Sequence, residues 1–464
     1  MTDKANLQLA LEQARSRRDE QLAALQDYLR IPSISTQPQH RDDIYRAAAW
    51  LAQFMTDSGL HNARVVETGG HPAVYGEWLE NPGAPTVLVY GHYDVQPIDP
   101  IELWHHDPFG AEVVGDRIYA RGASDNKAQH FSHVEAVRAI LDATGSLPLN
   151  LKFLIDGEEE IGSPVLPSFV AEHTEMLAAD SVIVSDGGMI RPGQPTLNHA
   201  LRGVADFEVH VSGPARDLHS GSHGGAVHNP AQALAEMISK LHDDQGRVAV
   251  PGFYDQVVEL TGEERALLAE RDYDEAQWRE DTGAPAPWGE VGYSILERRT
   301  VRPTLEVNGI WGGYTGPGMK TVLPAEAHAK LTTRLVARQD PARIQKLVAE
   351  HIMALAPPTV RVTVDTGAAS AAAVTAYDGP EVQAAMAAQR AVWGVEPVLN
   401  RNGGSLPILA TFQEVLGAPF LALPLGLDDN RHAPDEHYGL EYLYKGIETA
   451  IRYYYNYAEE TKKH

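Results

Sequence analysis

The sequence predicts an α/β protein: a doubly wound domain on a mixed sheet, interrupted by an inserted α+β domain. Three observations predict it. Short apolar runs alternate with longer helical patterns over the first 200 residues, the texture changes near Val204, and an apolar run of the first kind returns near position 420. A chain of 464 residues is also too long for one ordinary core, so two domains are expected.

The start, "MTDKANLQLALEQARSRRDEQL", reads as a charged amphipathic helix and lacks the apolar centre of an export signal. "TVLVY" (86–90), "LKFLI" (151–155) and "SVIVS" (181–185) read as buried strands. Between them, "KAQHFSHVEAVRAILDATG" reads as a helix ended by Gly145. Strands interleaved with helices predict a sheet covered on both faces. From Val204 onward "ADFEVHVSG" alternates like a half-exposed strand, "AVHNPAQALAEMISKLHDD" is helical, "AEAHAKLTTRLVA" alternates again and "DPARIQKLVAEHIMAL" is helical. That order predicts a small sheet with two helices on one face. The polar, Trp- and Pro-containing segment 270–303 is expected to be a long loop, and "TGAASAAAVTA" (366–376) to carry the chain back. "APFLALPLG" (418–426) is one more buried strand, so the first domain resumes. The expected boundaries are 1–203 with 371–464 for the first domain and 204–370 for the insert.

Composition excludes several functions. The chain has 38 basic and 63 acidic side chains, a formal net charge of -25, which repels nucleic acid and anionic membranes. It has no cysteine, which removes disulfides, thiolate metal sites and a cysteine nucleophile together. No apolar run approaches the roughly 18 residues that a membrane span needs. A cytoplasmic location is expected. There is no G-x-S-x-G, no H-E-x-x-H, and "GPGMKT" lacks the Gly-Lys-Ser/Thr ending of a phosphate loop.

In open α/β sheets ligands bind beyond the carboxyl ends of strands. After "TVLVY" come His92 and Asp94; after "DRIYARGAS", Asp125; after "LKFLI", Glu158, Glu159 and Glu160; after "SVIVS", Asp186; after "FLALPLG", a loop ending in "HAPDEH" with His432 and His437. Taken singly, His92 reads as a core histidine, Asp125 as a helix cap, the glutamates as a solvated loop, Asp186 as a turn residue and His432 as one of 20 histidines. Taken together, they aim compatible ligands at one edge of one sheet. Clustered carboxylates are stable when divalent cations neutralise them, and oxygen and imidazole donors without sulfur suit Zn, Mn or Co. Two such ions roughly 3.5–4 Å apart share a bridging carboxylate and a water, and a remaining glutamate takes the proton of that water.

The pieces "VLVYGHYDVQP", "WHHDPFGAEVVGDRIYARGASDNK", "LIDGEEEIGS", "VSDGG", "DLHSGSHGG", "KTVLPAEAHAKLTTRLV", "RNGGSLPI" and "RHAPDEH" resemble, in order, the M20 family of metallopeptidases, in its carnosinase-like and Cys-Gly dipeptidase branch. The resemblance implies a zinc-aminopeptidase-like catalytic domain with an inserted lid that dimerises. It implies that His92 and Asp186 bind one metal, Glu160 and His432 the other, and that Asp125 bridges both. Asp94 orients the His92 ring, and Glu159 is the general base. The family pattern Glu-Glu-x-Gly-Ser, read on Gly162 and Ser163, selects Glu159 and Glu160 over Glu158, and His-x-x-Asp/Asn-Glu selects His432 over His437. A cis peptide between Asp125 and Asn126 is implied, with Asn126 where the family often has Asp.

The resemblance also implies that His219 stabilises the oxyanion and can reach the partner subunit's site. It implies that Arg334 grips the substrate's terminal carboxylate, aided by Gly404 and Ser405. On residues alone, Arg334 also reads as a surface charge and Ser405 as turn chemistry. The expected activity is hydrolysis of dipeptides or short peptides with a free C-terminal carboxylate, by a homodimer carrying two divalent ions per subunit, zinc first, then manganese or cobalt. The alternative is an N-acyl-amino-acid deacylase of the aminoacylase or desuccinylase type. A remote alternative is an inactive peptide-binding member.

Overall fold

The computed structural model describes residues 3–269 and 274–463, and the chain divides into two compact units. The first holds Met1–His199, Val374–Asn400 and Thr411–His464; the second holds Ala200–Ala373 and Arg401–Ala410.

The first unit is α/β, built on a mixed nine-stranded sheet. Thr86–His92 pairs parallel with Asn150–Asp156 on one side and Ser181–Val184 on the other, and Phe420–Ala422 continues the parallel run beside Ser181–Val184. Ala73–Trp78 and then His61–Val66 add antiparallel at one edge. Thr196–Leu201 turns antiparallel at the other, followed by Ala373–Val374 and Val398–Asn402. Every residue of Asn150–Asp156 is buried, as an unbroken apolar run in a sheet covered on both faces requires. Helices Arg41–Asp57, Ala128–Thr144 and Leu440–Glu460 share one core with Val87, Phe153 and Ile183. Gly145, at φ 74°, ends the helix before it in the left-handed cap that glycine adopts without steric cost. The N-terminal helix is two helices, Asp3–Ser16 and Arg18–Leu29. The break falls at Arg17, whose guanidinium is buried 3.4 Å from Glu135.

The second unit is α+β. Its antiparallel sheet runs Thr304–Gly312, Glu326–Leu335, Gly203–Ser212, Arg361–Ser370. Burial alternates strictly along Gly203–Ser212. Phe207, Val209, Ala329 and Leu331 of the buried face pack on Leu234 and Met237 of helix Pro230–Ile238 and on Ile344, Val348 and Ile352 of helix Pro341–Ala354.

Three sequence expectations change. Segment 270–303 is not simply a loop: it contains helices Glu275–Thr282 and Ile295–Thr300, while 270–273 lie outside the described residues. Both are short, polar helices held by local caps, Asp274 accepting from Ala276 N–H and Ser294 exchanging bonds with Glu297, so they carry no apolar period to read. The strand in "DRIYARGAS", Arg117–Tyr119, belongs to a separate three-stranded sheet with Glu112–Val114 and His437–Gly439, not to the large one. Residues 401–410, expected in the first domain, group with the second unit, where Arg202 donates to the carbonyls of Gly403 and Gly404.

Candidate metal centre

His92 is the last residue of Thr86–His92, and its strand neighbour Asn150–Asp156 delivers the glutamate run that begins two residues beyond its end. Asp186 follows Ser181–Val184. These parallel strands end on one edge, so their exits meet. Asp125 arrives differently, in the turn Ala123–Lys127 that opens helix Ala128–Thr144, and its peptide to Asn126 is cis, as the resemblance implies. His432 comes from the loop after Phe420–Ala422, where Asn430, His432 and Asp435 all adopt positive φ.

Two groups of ligand atoms result: His92, Asp125 and Asp186, and Asp125, Glu160 and His432, with the atoms of each group within 4.8 Å of one another. Asp125 is common to both and faces them with different oxygens. His92 Nε2 lies 3.1 Å from its Oδ1 and His432 Nε2 lies 3.0 Å from its Oδ2. His432 Nε2 is also 3.1 Å from Glu160 Oε2, and His92 Nε2 is 3.7 Å from Asp186 Oδ2. Imidazole nitrogens and carboxylate oxygens, three per group with one shared, form a donor set that fits a pair of divalent cations. Glu159 stands beside the first group, its Oε2 3.9 Å from His92 Nε2.

Burial pushes the Glu159 carboxyl up to about 8, with His92 opposing and Asp186, Asp94 and Glu160 reinforcing. Burial and the nearby Asp125 likewise push Asp186 up to about 6. Burial alone would raise Asp125 too, but hydrogen bonds from His432 and His92 outweigh it and hold this carboxyl far below its usual range. Within the chain, two imidazoles and the Arg431 guanidinium, 3.8 Å from Asp125 and 3.7 Å from Asp186, supply positive charge against these packed acids.

The supports of this cluster are mostly residues to which the sequence assigns no role. Asp94 does more than face the His92 ring, whose Nδ1 lies 3.1 Å from the Asp94 carbonyl and 3.4 Å from its Oδ1. Its carboxylate accepts the backbone N–H of Glu159 and of Glu160, each at 3.1 Å. Gln96 donates to Glu160 Oε2 at 2.9 Å. Glu436, fully buried, accepts from the amides of Gly122, Ser124 and Asp125 and pairs with Arg121 at 2.6 Å. Asn126 donates to the Ser185 carbonyl and accepts from His92 N–H, a pairing that an Asp could make only in half. A Cβ on Gly91 would come within 2.7 Å of that same Asn126 oxygen. Gln96 and Glu436 lie inside "GHYDVQP" and "HAPDEH", so the motifs contained them without showing their task. Glu158 turns away to accept from His71 N–H, and His437 bonds Arg117 and the Asp435 carbonyl.

The remaining candidates lie in the second unit. His219, in strand Leu218–His219, is exposed and accepts from Gly221 N–H. Arg334, in Glu326–Leu335, donates from Nη1 to Ser405 Oγ at 2.8 Å, and Gly404 N–H caps onto Asn402.

Comparison with known proteins gives the chain its relatives. The sequence model of Peptidase family M20/M25/M40 matches residues 88–456. The Cys-Gly metallodipeptidase dug1 of Schizosaccharomyces pombe is 31% identical over 466 residues, covering 97% of this chain and 98% of the relative. The Beta-Ala-His dipeptidase of Homo sapiens is 31% identical over 437 residues, covering 90% and 86%. Among solved structures, the M20 family metallo-carboxypeptidase Sso-CP2 from Sulfolobus solfataricus superposes with a TM-score of 0.85 at 36% identity, covering 95% of this chain and 99% of that one.

Proposed function

We propose, from the premise that this chain belongs to peptidase family M20/M25/M40, that it is a metallopeptidase hydrolysing dipeptides or short peptides with a free C-terminal carboxylate. The observation that carries the reading is one carboxylate, Asp125, shared by two three-residue ligand groups with a further glutamate, Glu159, beside them. His92 and Asp186 would hold one ion, Glu160 and His432 the other, and Asp125 both. Zinc is the first choice, manganese or cobalt the next. Bound there, the ions supply Lewis acidity that activates water and polarises the scissile carbonyl.

The chain's own residues do the rest. Glu159 accepts a proton from the attacking water on a carboxylate oxygen and returns it to the leaving amine nitrogen. Asp94 holds the backbone of Glu159 and Glu160 in register. His219 donates to the developing oxyanion, acting in a homodimer on the partner subunit's substrate. Arg334, with Gly404 and Ser405, receives the terminal carboxylate, a planar anion suited to a guanidinium. The proposed place of action is the cytoplasm; no helix among the described residues is long and apolar enough to cross a membrane.

The test is a panel of unmodified dipeptides, including Cys-Gly and β-Ala-His, set against N-acyl amino acids, after chelation and readdition of Zn, Mn or Co. Metal-dependent cleavage of dipeptides is expected. Cleavage of acyl amino acids alone would transfer the chain to the deacylases, and no turnover with any metal would leave an inactive peptide binder.

A further inference from the structure

The sheet of the second unit sets one row of side chains across the face turned away from its core. Trp311 stands opposite His328, His328 opposite His210, and His210 opposite Thr363. Val209 and Ala329, one step along their strands, point the other way, into the core against the two helices. Both imidazoles of the row are half-buried.

His210 Nδ1 and His328 Nδ1 face each other at 2.9 Å. The far nitrogen of each ring meets carboxylate. His210 Nε2 lies 3.1 Å from Asp365 Oδ2 and 4.0 Å from Glu208 Oε1, and His328 Nε2 lies 3.7 Å from Glu326 Oε2. Lys330 Nζ, 3.9 Å from Glu208 Oε2, offsets one of these three acids. The Trp311 ring stacks on His328, with centroids 5.2 Å apart and planes 18° from parallel. A carboxylate only accepts, so Asp365 fixes the His210 proton on Nε2 and leaves Nδ1 as a lone pair aimed at His328. His328 can meet that lone pair with its own Nδ1–H only by turning a bare Nε2 toward Glu326.

A cation between the two Nδ1 atoms removes this conflict. Histidines that ligate a metal through one nitrogen hand the other N–H to a carboxylate, which fixes the ring and raises its basicity. Nitrogens about 2.0–2.1 Å from one ion lie about 2.9 Å apart at a right angle and about 3.4 Å apart at the tetrahedral angle, so this pair is spaced for a shared ion. We propose that His210 and His328 hold one late first-row divalent cation, of the nickel, copper or zinc class, between their Nδ1 atoms. The His328 proton then sits on Nε2, facing Glu326, while Asp365, Glu326 and Glu208 offset the added charge and water fills the remaining positions. The ion ties strand Gly203–Ser212 to strand Glu326–Leu335 through their side chains. Its ligands lie in the second unit, whereas the ligand groups of the metal centre lie in the first, so the inference stands apart from the peptidase reading.

The experiment titrates nickel into the zinc-loaded protein by calorimetry and follows tryptophan fluorescence, which a paramagnetic ion quenches at short range. One nickel per subunit is expected beyond the zinc, with a quenched component that Trp311→Phe removes. His210→Gln and His328→Gln should each weaken nickel binding by about tenfold or more, and Asp365→Asn by about tenfold, all with the zinc content and circular dichroism of the wild type. Magnesium, which takes oxygen donors, should leave both signals flat. Equal nickel binding by the wild type and both histidine variants, or no nickel beyond the zinc positions, overturns the site. A magnesium response equal to that of nickel overturns it too, by assigning the binding to the carboxylates. Trp311→Phe and Asp365→Asn keep both ligands and decide the question if a histidine variant does not fold: quenching that persists without Trp311, with nickel affinity unchanged in Asp365→Asn, also overturns the site.

Discussion

Glu436→Gln tests how the shared ligand is held. The wild-type side chain is fully buried; Oε1 accepts from Ser124 N at 2.9 Å and Asp125 N at 3.0 Å, and Oε2 from Gly122 N at 3.0 Å and Arg121 Nη1 at 2.6 Å. Glutamine keeps the shape and one acceptor oxygen, so two amides can remain satisfied. Its NH2 then faces the Gly122 amide and the Arg121 guanidinium, donor against donor. Removing one partner of a buried ion pair costs about 3–5 kcal/mol, and an amide left without an acceptor about 1–3 more. A loss of about 4 kcal/mol is a large share of a net stability of roughly 5–15. Urea unfolding of the metal-free protein, followed by tryptophan fluorescence, should show it as a lowered midpoint. Because Glu436 grips the Asp125 amide, metal affinity should fall as well, about 10–100-fold by competition with a chelating dye. Replacing both partners, Arg121→Met with Glu436→Gln, should cost less than the sum of the single changes. A Glu436→Gln protein within about 0.5 kcal/mol of the wild type would refute the reasoning.

Four further outcomes are expected. Glu159→Gln should keep its metal content by plasma emission and lose about a thousandfold in kcat, because an amide cannot carry the proton. Asp125→Ala should lose metal from both groups, since each depends on it. Asp94→Asn should lower kcat and metal affinity together, about 10–100-fold in affinity, because one of the two amides it accepts would face an NH2. His133, buried between Ser185 and Tyr454, is held by burial down to about 3, so it stays neutral in the fold while the unfolded chain takes up a proton below about 6.5. Its contribution is therefore intact above that pH and is lost as pH falls toward 3, about 2–3 kcal/mol by pH 4.5; the stability difference between wild type and His133→Gln should narrow over that window and stay flat above it.

How much of this was legible in the sequence follows from the range of each interaction. The buried strands declare themselves as unbroken apolar runs, and His92, Glu160 and Asp186 sit where such strands let the chain out. Asp125 was visible as a candidate, but its setting was not: it hangs from a small separate sheet and from Glu436, which is 311 positions away in sequence. Periodicity carries no trace of a hydrogen bond at that separation. The same holds for 401–410, tied to the second unit by Arg202 and Arg334 through polar bonds that no hydropathy pattern records. Helices Glu275–Thr282 and Ile295–Thr300 escaped because caps, not apolar faces, define them.

One carboxylate at position 94 steadies two consecutive amides, so the residue proposed to shuttle protons, Glu159, and the one proposed to hold a cation, Glu160, are cut from a single piece of backbone. Neither can be re-aimed alone. A lineage adapting this loop to another cation would retune its acid–base behaviour in the same step, and metal preference and pH optimum should drift together among its variants.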